Sequence, residues 1–204
     1  MINKGMKIGT VCLLFWLASF EATAALPVLR GLGGDFSAMS TLGREVGPAD
    51  FQGQPVLLFF GYTNCSDICP ATLGHLAELT GDDEVAVQVL FVSVDPEYDT
   101  PAHLKAYLAH FDPGYIGISD RRERIDQIVA LFQARYDRKG EQPLSTAYKK
   151  LKVKKTDGDG SLAYLYSHSA GIYLLDKRSR VRATYFSGTP IAQMRDDIQA
   201  LNDE

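Results

Sequence analysis

The chain has 204 residues, 46% of them apolar and 23% charged, and a formal net charge of −4. That length accommodates one well-packed domain but not two of ordinary size. The mildly acidic balance sets nucleic acid aside as a partner, since that role calls for a basic face.

In chain order, Lys4 and Lys7 precede an apolar run at 8–20, which is followed by Glu21 and the small residues Ala22, Thr23, Ala24 and Ala25. A basic start, a short apolar stretch and small residues after it are the pattern of a secretory signal peptide. The run is shorter than the roughly 20 apolar residues of a membrane span, and an uncleaved inner-membrane anchor is the alternative reading. Residues 1–25 are therefore expected to be a signal peptide, and 26–204 a single domain in the bacterial periplasm. The three residues before Cys12, Gly-Thr-Val, do not match a lipoprotein signal. Cleavage removes Cys12, two lysines and one glutamate, which leaves Cys65 and Cys69 and moves the net charge from −4 to −5.

Residues 26–34 read as a loose leader and 35–46 as a short hairpin around Gly43. The run VLLFFGY at 56–62 is continuously apolar between turn signals, which predicts a strand covered on both faces. A helix is expected over 71–79 with Pro70 in its first turn, then a second buried strand at 85–94, ended by Asp95 and Pro96. Thr100 and Pro101 open a helix to about 111, with threonine as cap and proline at its first turn. A short strand at 115–118 and a helix at 121–135, capped by Asp120, follow. Lysines crowd 149–155 ahead of the glycine-rich 156–160. This insertion reads as a solvated loop, or alternatively as a docking patch for an acidic partner. Strands are expected at 162–166, 171–175 and 181–186, and Thr189 and Pro190 open a final amphipathic helix. The order describes an α/β fold: a thioredoxin-like mixed sheet flanked by helices, with an N-terminal hairpin and an insertion before the last strands.

The chemistry centres on GYTNCSDICPATLGHL at 61–76. Cys65 and Cys69 stand where a buried strand meets a helix N-terminus, a setting whose dipole and spare N–H groups favour thiolate. Thiolate serves both redox chemistry and soft metals, so an inert disulfide, a redox couple and a metal site all remain open. Three intervening residues, rather than the two of a thioredoxin centre, put the sulfurs one helical turn apart on one face. Ser66 stands where a thiol peroxidase would need its cysteine. A closed zinc site needs four ligands, whereas Cu(I) accepts two thiolates and an imidazole. Among the histidines, His75 lies on a different helix face from Cys69, and His103 and His110 are expected in solvent. His168, in Ser-His-Ser before an apolar strand, reads on its own as a histidine packed at a strand end. Asp95, Asp99 and Asp112 read as turn and cap residues.

Three segments, FFGYTNCSDICPATL, FVSVDPEYDTPAHLKAYLAHFDP and YSHSAGIYLLD, resemble the Sco/SenC family in sequence, order and spacing, from about residue 35 onward. These are thioredoxin-like copper proteins that assist cytochrome c oxidase assembly. The resemblance implies that Cys65, Cys69 and His168 are copper ligands for one ion, as Cu(I), Cu(II) or both. It also implies a metallochaperone, expected to be monomeric, that passes copper to the copper-acceptor subunit of cytochrome c oxidase. Other envelope copper or thiol-redox proteins are further candidate partners. The rival reading is an envelope thiol–disulfide oxidoreductase acting on the acceptor's cysteines through Cys65 and Cys69, and a copper or redox sensor is a third. Two positions depart from the family pattern. Ser66 replaces a common proline, and Ser167 replaces a common aspartate, whose loss bears on metal affinity because partners behind the ligands tune them.

Overall fold

The computed structural model describes residues 25–65, 68–82, 85–136 and 171–204. Residues 1–24 of the expected signal peptide, the lysine run at 149–155, the strand at 162–166, Ser66, Ser167 and His168 lie outside the described residues.

The sheet is built around β3 (Val56–Gly61), whose six residues are all buried. β4 (Gln88–Ser93) runs parallel to it, and β5 (Ile116–Ile118) runs parallel to β4. On the other side β6 (Ile172–Leu175) and β7 (Val181–Tyr185) continue antiparallel, giving the order β5-β4-β3-β6-β7. Period-two alternation divides β3 between two cores. Leu58 and Phe60 point to one with Phe132 and Ile128, while Leu57 and Phe59 point to the other with Leu73, Leu76, Leu104 and Ile198.

Against the second face pack α1 (Ile68–Thr80), α2 (Pro101–Leu108) and α4 (Ile191–Asp203), and α3 (Arg122–Leu131) covers the first. The expected hairpin is present as β1 (Ala38–Met39) paired with β2 (Glu45–Val46). Gly43 makes its turn possible with a φ of 73°, a left-handed conformation that costs glycine little.

The differences from expectation lie at element ends. β4 begins at Gln88 because Val85 is spent closing a turn onto the Asp82 carbonyl. α2 stops at Leu108, and 109–111 continue as turns. The Thr100 cap is as expected, its hydroxyl accepting from the His103 N–H at 3.3 Å. Asp120 is not the cap of α3, which is Arg121. Its carboxylate instead accepts from Met39 N–H at 2.8 Å and from Arg121 N–H, fastening the hairpin to the sheet. Thr189 does not cap α4 either, since its hydroxyl accepts from the Phe186 N–H.

One buried ion network ties both described ends of the chain to β7. The Arg182 side chain, 4% exposed, donates to Asp176 at 3.0 Å, to Glu204 at 2.6 and 2.8 Å, and to the Leu26 carbonyl. Burial raises the Asp176 carboxyl, but hydrogen bonds from Arg180, the Arg178 N–H and Arg182 outweigh it and hold the group below its ordinary range. A depressed folded pKa stabilises above the ordinary carboxylate pKa of about 4 and is lost as pH falls through the folded value. Urea midpoints should therefore drop between pH 5 and pH 2.5. Arg182→Met should lower the midpoint near neutrality, because it removes the ties from β7 to Glu204 and to the Leu26 carbonyl and leaves Asp176 to Arg180 and the backbone N–H groups. A midpoint in Arg182→Met equal to that of the wild type would remove this network from the account of stability.

Candidate metal and thiol centre

The site forms where β3 and β4 end and α1 begins. Past Gly61 the chain turns, with the Cys65 N–H reaching the Tyr62 carbonyl at 3.3 Å, and α1 starts at Ile68. Cys69 therefore lies in the first turn of α1, with Cys65 just ahead of it, and both are thiols. The Cys69 N–H, one of those a helix start leaves unpaired, donates to the Cys65 sulfur at 3.4 Å. Of the two, only Cys69 lies in the helix; Cys65 belongs to the turn ahead of it, linked to α1 by that one hydrogen bond.

Their surroundings differ. Cys65 is half-buried, whereas Cys69 is 3% exposed within the second core. Gly61 makes room for that sulfur. A Cβ there would stand 2.8 Å from the Phe91 ring and 3.0 Å from Cys69 Sγ. The expectation of a lowered thiol pKa fails at Cys69. Burial pushes it up to about 12, against a smaller opposing effect from a backbone hydrogen bond at Tyr62. The helix-start N–H goes to the other sulfur, so desolvation dominates at Cys69.

Behind the pair stands a polar hub absent from the sequence reading. Asp99, taken there as a turn or cap residue, is fully buried. Its carboxylate accepts from the Thr63 N–H at 3.0 Å, the Thr63 hydroxyl at 2.5 Å and the Ser93 hydroxyl at 2.6 Å. Asp95 and Asp112 stay close to the expected roles: the Asp95 carbonyl accepts from Asp99 N–H in a turn, and Asp112 caps the Gly114 N–H. Tyr107, on α2, packs against the Phe91 ring at 6.5 Å between centroids. Its hydroxyl is buried without a hydrogen-bond partner among the described residues. Burial, then the negative charge of the two cysteines, raises its pKa to about 12.

The histidines separate clearly. His75 Nε2 donates to the Thr189 carbonyl at 2.7 Å and fastens α1 to the start of α4. His110 is exposed in the turn after α2. His103 is exposed as expected, yet it contacts Thr63 Oγ1 at 3.1 Å and the edge of Tyr98. Among the described residues no third His, Cys, Asp or Glu completes a metal cluster around the cysteines. The expected third ligand, His168, is outside them.

Two sulfurs gathered at one helix start form a soft donor pair suited to Cu(I), and equally a pair able to close a disulfide. Their asymmetry predicts an order of reaction. At pH 8 a thiol with a pKa of about 12 is thiolate in only about one molecule in 10⁴. Iodoacetamide mapped by mass spectrometry should mark Cys65 first and leave Cys69 largely unmodified. Faster labelling of Cys69 would contradict the burial assigned to it.

The family model described as SCO1/SenC matches residues 29–203. The mitochondrial SCO2 homolog of Bos taurus is 33% identical over 171 residues, covering 81% of this chain and 58% of that protein. This chain thus spans little more than half of that relative's length. A SCO2-like protein of Rickettsia felis is 29% identical over 163 residues, covering 78% of this chain and 72% of that one. Among solved structures, Bradyrhizobium japonicum ScoI with copper bound has 31% identity and a TM-score of 0.62, covering 83% of this chain and 99% of that one.

Proposed function

The chain belongs to the SCO1/SenC family, and we propose that it binds one copper ion as cargo and hands it on during cytochrome c oxidase assembly. The observation that carries this reading is the thiol pair at the start of α1, with Cys65 accepting a hydrogen bond from the Cys69 N–H. Copper bound to a structure 31% identical over most of this chain supports it.

Cys65 and Cys69 would hold the ion through sulfur, and soft thiolate donors select Cu(I). We take His168 as the third ligand. Support comes from the register of β6, where Ile172 pairs with Phe59, so this strand starts at the same sheet end as the cysteines. Gly61 and Phe91 leave space for the Cys69 sulfur and wall it with apolar surface. Asp99 fixes the loop that presents Cys65. The acceptor is the copper-acceptor subunit of the oxidase, and the site of action is the bacterial periplasm, with residues 1–25 as the export signal.

A second reading has its own observation. A half-buried Cys65 ahead of a buried Cys69 is the asymmetry of an attacking and a resolving thiol. In that case Cys65 attacks an acceptor disulfide, releasing one acceptor thiolate. Cys69 then displaces the second, leaving a Cys65–Cys69 disulfide and a reduced acceptor.

Copper titration of the reduced protein against a Cu(I) chelator separates the readings. Cys65→Ser and Cys69→Ser should each abolish tight binding, and His168→Ala should weaken it while both thiols remain. In cells at limiting copper, His168→Ala should lose oxidase activity and regain part of it when copper is added. Normal oxidase loading by His168→Ala at limiting copper, with both cysteine variants defective, would transfer the assignment to the reductase.

A further inference from the structure

Thr63 stands two residues before Cys65, and its hydroxyl has two partners at hydrogen-bonding distance. A hydroxyl carries one hydrogen and two lone pairs. That hydrogen points at Asp99 Oδ1, 2.5 Å away, because a carboxylate oxygen can only accept. A lone pair of the same oxygen therefore faces His103 Nε2 at 3.1 Å, and the ring nitrogen must bring the hydrogen. His103 is thus held in the form protonated at Nε2. That nitrogen is committed to the loop and is not available as a metal ligand.

The helix start explains how an exposed histidine reaches this loop. Thr100 caps α2, and His103 is the residue whose N–H the cap receives. Long side chains in a helix lean toward its N-terminus, which brings the imidazole back over the segment that carries Asp99. The Tyr98 ring holds it from the side, edge-on at 5.1 Å between centroids. One chain of bonds then runs from His103 to Thr63 to Asp99 to Ser93, joining the surface of α2 to the end of β4.

We infer that His103 is a positioning residue for Cys65: by donating to Thr63 it holds the 62–65 turn in the conformation that keeps the outer sulfur half-buried. The inference deepens the proposed function, on which its copper arm rests, while its thiol arm does not. Without that bond, Thr63 keeps both of its links to Asp99, so the fold persists while the turn samples more conformations. The Cys65 sulfur is then more often exposed, to alkylating agents and to copper acceptors alike.

The test uses the full chain, reduced and metal-free, with His103→Ala, His103→Gln, Thr63→Val and Thr63→Ser. Glutamine can offer an N–H and serine an equivalent hydroxyl, so these two rescue the bond that the other two remove. Iodoacetamide labelling of Cys65, followed by mass spectrometry, should be about 3- to 10-fold faster in His103→Ala than in the wild type, the range expected for one hydrogen bond. His103→Gln and Thr63→Ser should label near the wild-type rate. Transfer of Cu(I) from the loaded protein to bathocuproine disulfonate should accelerate in the same variants and by a similar factor. The melting temperature of His103→Ala should stay close to that of the wild type, which separates loosening of the turn from general unfolding. Thr63→Val also removes a bond to Asp99, so should it fail to fold, the two His103 variants decide alone. Wild-type labelling in His103→Ala would overturn the inference, as would equal acceleration in His103→Ala and His103→Gln. Should the wild type bind no Cu(I), the carrier reading falls, and the labelling rates still judge His103.

Discussion

A carboxylate with no exposure to water holds the functional end of this molecule together. Burying Asp99 is costly unless donors replace the lost solvent, and the donors come from two separate segments, Thr63 after β3 and Ser93 at the end of β4. The Asp99 carbonyl adds a third attachment by accepting from the Ser119 hydroxyl just past β5. Three neighbouring strand ends are thereby referred to one residue. The turn that carries Cys65 packs against the second core and is fastened through Thr63 to that carboxylate.

The two cysteines inherit different environments from this arrangement. Cys69 belongs to α1 and is carried into the core with Leu73 and Leu76, where burial favours the neutral thiol. Cys65 belongs to the turn and receives the N–H that the helix start leaves over. A soft cation that displaces both protons would draw on both environments: the apolar one excludes water, and the polar one orients the outer sulfur. The same asymmetry suits a thiol exchange in which the outer sulfur reacts first, so the described geometry serves either chemistry.

Space at the site is as closely set as charge. Gly61 lets the sulfur of Cys69 and the ring of Phe91 come within reach of one backbone atom. Any side chain there would displace one or the other, and cores respond to even one added methyl group. Tyr107 packs behind Phe91, and its buried hydroxyl has no hydrogen-bond partner among the described residues.

Local patterns were enough to read the sheet and the helices. The apolar run of β3 fitted a strand covered on both faces, Thr100 and Pro101 matched a helix start, and Gly43 marked the hairpin. The spacing marked both cysteines as lying at the start of the helix, although only Cys69 is within it and Cys65 sits in the turn ahead. What the sequence by itself could not supply were the partners. Asp99 before Thr-Pro looks like any helix-start aspartate, yet its donors lie 6 and 36 residues away, and His103 reaches Thr63 across 40. The same limit misdirected the thiol argument. A helix terminus is visible in sequence and lowers a thiol's pKa, but burial raises it, and burial is set by how α1 settles on β3 and β4. Covalent neighbours fixed the elements and the spacing of the sulfurs; packing between distant segments decided which sulfur is reactive and which residues hold it, because desolvation and long-range hydrogen bonds exist only once the chain is folded.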